Sequence, residues 1–555
     1  MSNKKLTPWE RFIGLLQLER KDILQIFYYA IFAGVVSLSL PLGIQAIINL
    51  IQGARMSTSW IILVILVTIG VAFVGILQLM QIRILEDLQQ KLFMRSSFEF
   101  AYRFPKIKMQ ELRDYYPPEL ANRFFDTLTA QKGLSKLLLD LPTALVQIIF
   151  GLLLLSLYHP FFIVYGLLLL LLLYALFKYT AKKGLDTSLT ESKYKYKVAH
   201  WIQEVARTIV SFKLSGRTNL SLRKTDALVV DYIDSREGHF KILKLQFILL
   251  IGFKVLVTAG LLVIGGALVF EQEMNIGQFV AAEIVILLII GSVEKIITGL
   301  ESFYDMITAL EKIGQVVDKE LESQSGETPL SAEEDLKVEL RNLSYKNFSG
   351  DKFIIHDISM TITPGEHTLL SGPNGSGKST LLKIIAGVLE PDSGQIYVNN
   401  HPLSNINLNH YRGLLGQSLN DETPFEGTLL DNITFGDASV PSKDVQWAID
   451  NIGLSDYVKQ LPKGLNTMIY PEGKQVSYTV AKKIILARSI VRKPHILILK
   501  DPLNQMETTE ETKILDFLFD KTQPWTIIVA TKDPAWRKYC QRQLILDQGT
   551  LTQKL

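Results

Sequence analysis

Six long apolar segments crowd into the first 300 residues of this 555-residue chain, near 23–51, 58–82, 138–158, 160–181, 246–270 and 277–300. Each holds about 20 or more mostly apolar residues, enough at a helical rise of about 1.5 Å per residue to cross a ~30 Å hydrocarbon layer. The core of a soluble protein does not accommodate a run such as Leu167–Leu173, seven consecutive leucines. The third and fourth segments are separated only by Tyr158-His159-Pro160, a tight hairpin. Loops alternate in length, with about 55 residues after the second segment and about 65 after the fourth. The first of these is rich in Arg83, Lys91, Arg95, Arg103, Lys106, Lys108 and Arg113. Basic loops stay on the cytoplasmic side. The expectation is an integral membrane protein with both termini in the cytoplasm.

The rest of the chain is of another kind. A mean hydropathy of +0.21 combined with 20% charged residues describes a membrane portion joined to a soluble one. The net charge of +3 is too small to argue for nucleic acid. Cys540 is the only cysteine, which rules out an intrachain disulfide and a thiol metal cluster. The first apolar run starts late and is too long for a cleavable signal peptide. Before it, residues 1–22 carry Trp9, Phe12, Ile13, Leu15, Leu16 and Leu18 among Glu10, Arg11, Glu19 and Arg20, the pattern of an interfacial elbow helix on the bilayer. The six-helix domain then covers 23–318, a polar linker 319–335, and a domain alternating strands with helices 336–555. Inside the membrane segments, Lys254 and Glu283 carry charge that is costly unless paired or hydrated; a transport path and interhelical pairing both account for them.

The last domain contains Gly372-Pro373-Asn374-Gly375-Ser376-Gly377-Lys378-Ser379-Thr380, a full match to the G-x-x-x-x-G-K-[ST] phosphate loop. Its glycines let successive backbone N–H groups turn toward a polyphosphate, Lys378 reaches the terminal phosphates, and the Ser379 hydroxyl suits Mg²⁺. The strand-like run His367–Ser371 leads in and a helical pattern follows, placing a helix N-terminus under the anion.

Six helices with long basic loops, a linker and a phosphate-loop domain together resemble a half-transporter of the ABC exporter family. The resemblance implies a membrane α-helical domain plus an α/β P-loop nucleotide-binding domain, with ATP and Mg²⁺ as cofactors. It also implies the inner (cytoplasmic) membrane of a bacterium and a second ABC subunit, with a homodimer favoured. Leu40-Pro-Leu-Gly-Ile-Gln45 and Asn275-Ile-Gly-Gln-Phe-Val280 are most similar to the haemolysin-type (type I secretion) and peptide-exporting branch. The cysteine-peptidase domain that some of those relatives carry is not expected before the first helix. In that branch a periplasmic adaptor of the membrane-fusion type completes the route for a protein or peptide substrate. Tyr115–Arg123 and Leu214–Arg217 resemble the family's two coupling helices.

The family's remaining motifs map residue by residue. Gln417, in Gly413-Leu-Leu-Gly-Gln-Ser418, stands where the resemblance implies a Mg²⁺-sensing glutamine, followed by Phe425–Ile433 as expected. The aromatic residue that stacks on adenine aligns best with Asn347, flanked by Tyr345 and Phe348. Other positions depart. The signature Leu-Ser-Gly-Gly-Gln reads Val476-Ser477-Tyr478-Thr479-Val480, retaining Ser477 for a γ-phosphate across a dimer but replacing a glycine by Tyr478. Lys500 replaces the carboxylate that organises Mg²⁺, Asp501 stands where the general-base glutamate belongs, and Thr531 replaces a histidine. The expected activity is an ATP-binding exporter subunit with slow or absent hydrolysis. Two alternatives remain: a nucleotide-binding membrane scaffold or regulator without turnover, and the degenerate half of a heterodimer.

Overall fold

The computed structural model describes residues 6–53, 58–331, 334–346 and 352–553. The chain divides into two compact units: residues 6–106 with Asp114–Glu320, and Ile107–Arg113 with 321–553.

The first unit is helical. Helix α1 (Pro8–Leu18) starts at Thr7, whose hydroxyl accepts the Glu10 N–H while the Glu10 carboxylate accepts the Thr7 N–H, a reciprocal cap. Phe12 faces inward, and Trp9 and Leu18 stay 53% and 65% exposed, as an interfacial helix requires. The first apolar segment is two helices, α2 (Arg20–Ser37) and α3 (Ser39–Gln52), parted at Leu38. Pro41 explains the break: it has no N–H to donate, and its ring clashes with the carbonyl four residues back, at Ser37.

Then come α4 (Thr58–Arg103), the short α5 (Pro117–Ala121), α6 (Asp126–Tyr158), α7 (Phe161–Arg207), the short α8 (Ile209–Leu214), α9 (Leu220–Phe270) and α10 (Ile276–Val317). Among the described residues, six helical stretches are long and apolar enough to cross a membrane. The long segments expected as loops are mostly continuations of these helices. At 51 residues, α9 is about 76 Å long, far more than the hydrocarbon layer needs. Short α5 and α8 turn the chain where the coupling-helix patterns lie.

α10 is the innermost helix. At its crossing with α6, a Cβ on Gly133 would lie 2.6 Å from the Met306 Cβ and 2.8 Å from the Ser302 carbonyl oxygen, so only glycine permits that approach. The α1 helix is fastened to α10 by Arg11, which donates to both carboxylate oxygens of Asp318 and lies 3.5 Å from Glu311. Of the two charged membrane residues, Lys254 on α9 pairs with Glu294 on α10 at 2.6 Å, whereas Glu283 is exposed on α10. The Lys254–Glu294 pair joins α9 to α10 through charges that lie inside apolar segments.

The second unit is α/β. Its strands are β1 (Val338–Lys346), β2 (Phe353–Ile362), β3 (Thr368–Ser371), β4 (Ser393–Val398), β5 (His401–Pro402), β6 (Leu415–Ser418), β7 (Gly427–Thr428), β8 (Met468–Ile469), β9 (Ile496–Lys500), β10 (Thr526–Ala530), β11 (Arg542–Asp547) and β12 (Thr550–Gln553). The main sheet runs β12-β11-β3-β10-β9-β6, with all neighbours parallel except the β11–β12 hairpin. Ile496–Leu499 and Ile527–Val529 are fully buried, as parallel strands covered on both faces must be. A four-stranded antiparallel sheet, β2-β1-β4-β5, packs beside it.

The polar linker is not free. Leu321 bridges to Ile107, Arg412 holds Glu322 through two bonds of 2.6 and 2.9 Å, and Leu330 is buried in the domain core. Its few apolar residues and one acidic side chain lay it along the second unit.

Candidate functional site

The carboxyl ends of β3, β9 and β10 meet at one edge of the main sheet, the place where open α/β sheets bind ligands. The loops leaving those ends enclose a cavity of about 950 Å³. The stretch Asn374–Thr380 forms its floor after β3, Lys500 ends β9 with Asp501 and Asn504 beyond it, and Thr531, Lys532 and Asp533 follow β10.

The phosphate loop has the backbone its sequence requires. Gly372 has φ +141°, and a Cβ there would lie 2.0 Å from the Leu546 carbonyl oxygen. Gly377, at φ +101°, caps helix α11 (Lys378–Ile385), and its Cβ would come within 2.8 Å of the Ile354 carbonyl oxygen. Side chains are excluded at both positions, so the N–H groups of the loop and of the helix start remain open to an anion. Lys378 lies folded along the loop, donating to the carbonyls of Gly372 at 2.8 Å and Pro373 at 2.7 Å and to the Ser376 hydroxyl at 3.3 Å. Burial pushes the Lys378 ammonium below its ordinary pKa. The charges of Lys500 and Lys532 add to that shift, and Asp501 opposes it. Three ammoniums thus share one cavity, and Lys500 and Lys532 disfavour the charge on Lys378, a condition that a polyphosphate would relieve.

Lys500 ends β9 in register with Ala530, and its ammonium donates to the Ser379 hydroxyl. The hydroxyl suited to Mg²⁺ is thereby bonded to a cation of the chain itself. Asp501 has φ +42°, a left-handed conformation that Asp tolerates better than most residues, and its N–H donates to the Ala530 carbonyl at 3.0 Å. The Thr531 hydroxyl accepts the Asp533 N–H at 3.1 Å and shapes the turn beyond β10.

The other sequence-expected residues lie elsewhere. Gln417 is half-buried on β6, and Asn420, three residues on, lines the cavity on that side. Ser477 is exposed and caps the helix Tyr478–Ile490, its hydroxyl accepting the Val480 N–H at 3.3 Å. Tyr345 is 6% exposed in the domain core, and its hydroxyl accepts from Arg113 at 3.1 Å. Asn347 and Phe348 lie outside the described residues.

Sequence reasoning missed Asn420, Asn504, Lys532 and Asp533. The last two directly follow Thr531, and strand-end position was the available signal. Asp533 caps the turn Pro534–Lys538 through the Ala535 N–H at 2.9 Å. It also meets Glu511. Burial, then the hydrogen bond and charge of Asp533, push the Glu511 carboxyl up to about 7. A folded-state pKa above the unfolded value means that stability is greatest at low pH. It is lost as pH rises from the ordinary carboxyl range through about 7. Glu511→Gln is expected to remove this loss in thermal melts taken between pH 5 and 8. An unchanged pH profile would show that the pair does not share a proton.

Known families agree with this geometry. The ABC transporter domain matches residues 355–504, and the ABC transporter transmembrane region matches residues 23–293. The chain belongs to the ABC transporter family. Among the relatives of this ABC transporter chain is the alpha-hemolysin translocation ATP-binding protein HlyB of Proteus vulgaris. It is 26% identical over 291 residues, 52% of this chain and 41% of that protein. The ATP-dependent lipid A-core flippase of Xylella fastidiosa is 27% identical over 297 residues, 53% of this chain and 50% of that one. These matches span about half or less of each relative's length. In fold, the chain is similar to a bacterial Atm1-family ABC exporter with ATP bound, with a TM-score of 0.84, 16% identity, and coverage of 97% of this chain and 95% of that one. The ABC exporter fold and a nucleotide domain of the ATP-binding type are therefore its own.

Proposed function

We propose that the chain is an ATP-binding exporter subunit that works as a dimer in type I-like secretion of a protein, peptide or other substrate, with slow or absent hydrolysis. The observation that carries this reading is the cavity after β3. There, the complete phosphate cradle Gly372–Thr380 stands beside Lys500 bonded to Ser379. The cradle suits a triphosphate: Gly372 and Gly377 take positive φ and approach the Leu546 and Ile354 carbonyls as only glycine can, which holds the loop in its phosphate-binding turn. Bound ATP supplies the anionic bridge between subunits. Lys378 and the loop N–H groups hold its phosphates, and the exposed Ser477 reaches the γ-phosphate of the opposing site.

Mg²⁺ does not fit this donor set. Its hydroxyl ligand already accepts from Lys500, and a unit charge about 4 Å from a divalent ion is repelled by roughly 8 kcal/mol at an effective dielectric near 20, an illustrative figure. Lys500 takes over part of the neutralisation, which supports binding without rapid phosphoryl transfer. The same observation favours, as a second reading, a nucleotide-binding regulator without turnover.

The basic helix extensions support a cytoplasmic location for both termini and for Lys106 and Arg217, with Glu273 outside. Resemblance to the secretion branch supports a periplasmic adaptor of the membrane-fusion type as a further partner. One experiment with engineered cysteines in a Cys540→Ser background tests orientation and dimer together. Glu273→Cys is expected to react with an impermeant reagent from outside. Ser477→Cys with Asn374→Cys is expected to crosslink two copies when ATP is present. Absence of any crosslink with ATP would refute the dimer, crosslinking indifferent to ATP would refute its closure on nucleotide, and labelling of Glu273→Cys only from within would invert the topology.

A further inference from the structure

A second cavity, of about 680 Å³, lies within the helical unit between α1, α2, α6, α7 and α10. Its size is that of small-molecule sites, roughly 300–1,000 Å³. The walls are almost wholly apolar, formed by side chains such as Phe12, Leu16, Phe177 and Phe303. The polar groups sit apart from them. Lys136 on α6, Lys182 on α7 and Lys295 on α10 line the cavity through their aliphatic stems, and the residues around it include a single carboxylate, Asp140; the charged ends lie at the rim rather than in the wall.

The placement of these lysines is specific. Lys136 lies two residues before the apolar stretch 138–158, Lys182 directly follows 160–181, and Lys295 lies near the end of 277–300. Because α6 and α7 are antiparallel neighbours, all three ammoniums fall at one membrane face, the face from which the helices extend into water. Each is exposed. Three ammoniums against one carboxylate leave an excess of two positive charges around an apolar chamber.

Helix α1 forms one wall through Trp9, Phe12 and Leu16, while Ile13 and Leu18 remain exposed. The cavity therefore opens at headgroup depth.

We propose that this cavity is a binding site for an anionic phospholipid of the surrounding leaflet, its acyl chain among the apolar walls and its phosphate among Lys136, Lys182 and Lys295. Basic pockets between membrane helices recognise acidic headgroups in this way. A zwitterionic lipid offers the same chain without the net charge, and a free anion offers the charge without the chain. Each lysine near the membrane surface is worth about 1 kcal/mol, or about fivefold in affinity, so the three together amount to on the order of a hundredfold. Salt weakens that part and leaves the apolar part.

The test uses the full chain purified in neutral detergent, with thermal stability measured against added phosphatidylglycerol, phosphatidylcholine or inorganic phosphate. Phosphatidylglycerol is expected to stabilise at concentrations where the other two do not. The triple variant Lys136→Ala, Lys182→Ala, Lys295→Ala is expected to require on the order of a hundredfold more lipid, and the corresponding triple arginine variant is expected to restore the response. Lys241→Ala with Lys244→Ala, on α9 and outside the cavity lining, is expected to leave it unchanged. Gly299→Trp supplies a steric arm: a Cβ at Gly299 meets no atom within 4 Å, so the indole enters the cavity and is expected to displace the acyl chain. An equal response to phosphatidylcholine, an equal loss in the α9 variant, or full binding by either the triple alanine variant or Gly299→Trp would overturn the proposal. Stabilisation by phosphate alone would overturn it as well. If the triple alanine variant does not fold, the arginine and Gly299→Trp variants decide.

Discussion

Reconstituted in lipid with ATP and Mg²⁺, the chain is expected to turn over well below the 1–10³ s⁻¹ typical of enzymes, and to bind ATP about equally with and without a chelator. Phosphoryl transfer of this kind rests on a placed divalent cation and an oriented water. Here the Ser379 hydroxyl accepts from Lys500, and in the proposed reading Asp501 stands for a general-base glutamate with a carboxylate one methylene shorter. The Thr531 hydroxyl, in the proposed reading at the place of an imidazole, accepts the Asp533 N–H. A misplacement of about 1 Å costs on the order of 100-fold in rate, and three such changes compound. Lys500→Asp alone is expected to release Ser379 and make ATP binding depend on Mg²⁺, with turnover still low. Adding Asp501→Glu and Thr531→His is expected to raise turnover. Wild-type hydrolysis at several per second, abolished by EDTA, would refute this account and require a metal site built from other groups.

Lys378→Ala is expected to weaken ATP binding by at least about tenfold, which is roughly one charge-assisted hydrogen bond of about 1.5 kcal/mol or more. The change removes a buried ammonium from the cradle, together with its bonds to the Gly372 and Pro373 carbonyls, so some loss of loop order is expected too. Lys378→Arg separates the two effects: it keeps the charge but its planar fork does not fit the ammonium's tight turn, so binding is expected to fall while the melting temperature changes little. Photocrosslinking with an azido-ATP measures both variants. Labelling unaffected by Lys378→Ala would place the nucleotide elsewhere.

The membrane half of the fold was legible because composition acts there without tertiary help. Runs such as Leu167–Leu173 have only one stable solvent, and their length sets the span. The phosphate loop was legible for a related reason. Positive φ at Gly372 and Gly377 is a local demand of the backbone, so the glycines announce it at fixed spacing. The adenine-stacking position was not legible in the same way. Tyr345 alternates inward on β1 and is consumed by the core, and only strand register decides that.

The sequence alone determined the six apolar spans and the glycine spacing of the phosphate cradle, since each depends on residue type and local spacing. Tertiary structure decided the rest. It joined Lys500 to Ser379, 121 positions away, brought Lys532 and Asp533 to the same cavity, paired Lys254 with Glu294 rather than Glu283, and gathered Lys136, Lys182 and Lys295 around one chamber. The physical reason is common to all four. Parallel strand order and helix crossings set which distant side chains meet, and those follow from burial of whole faces, a property that no short stretch of sequence carries.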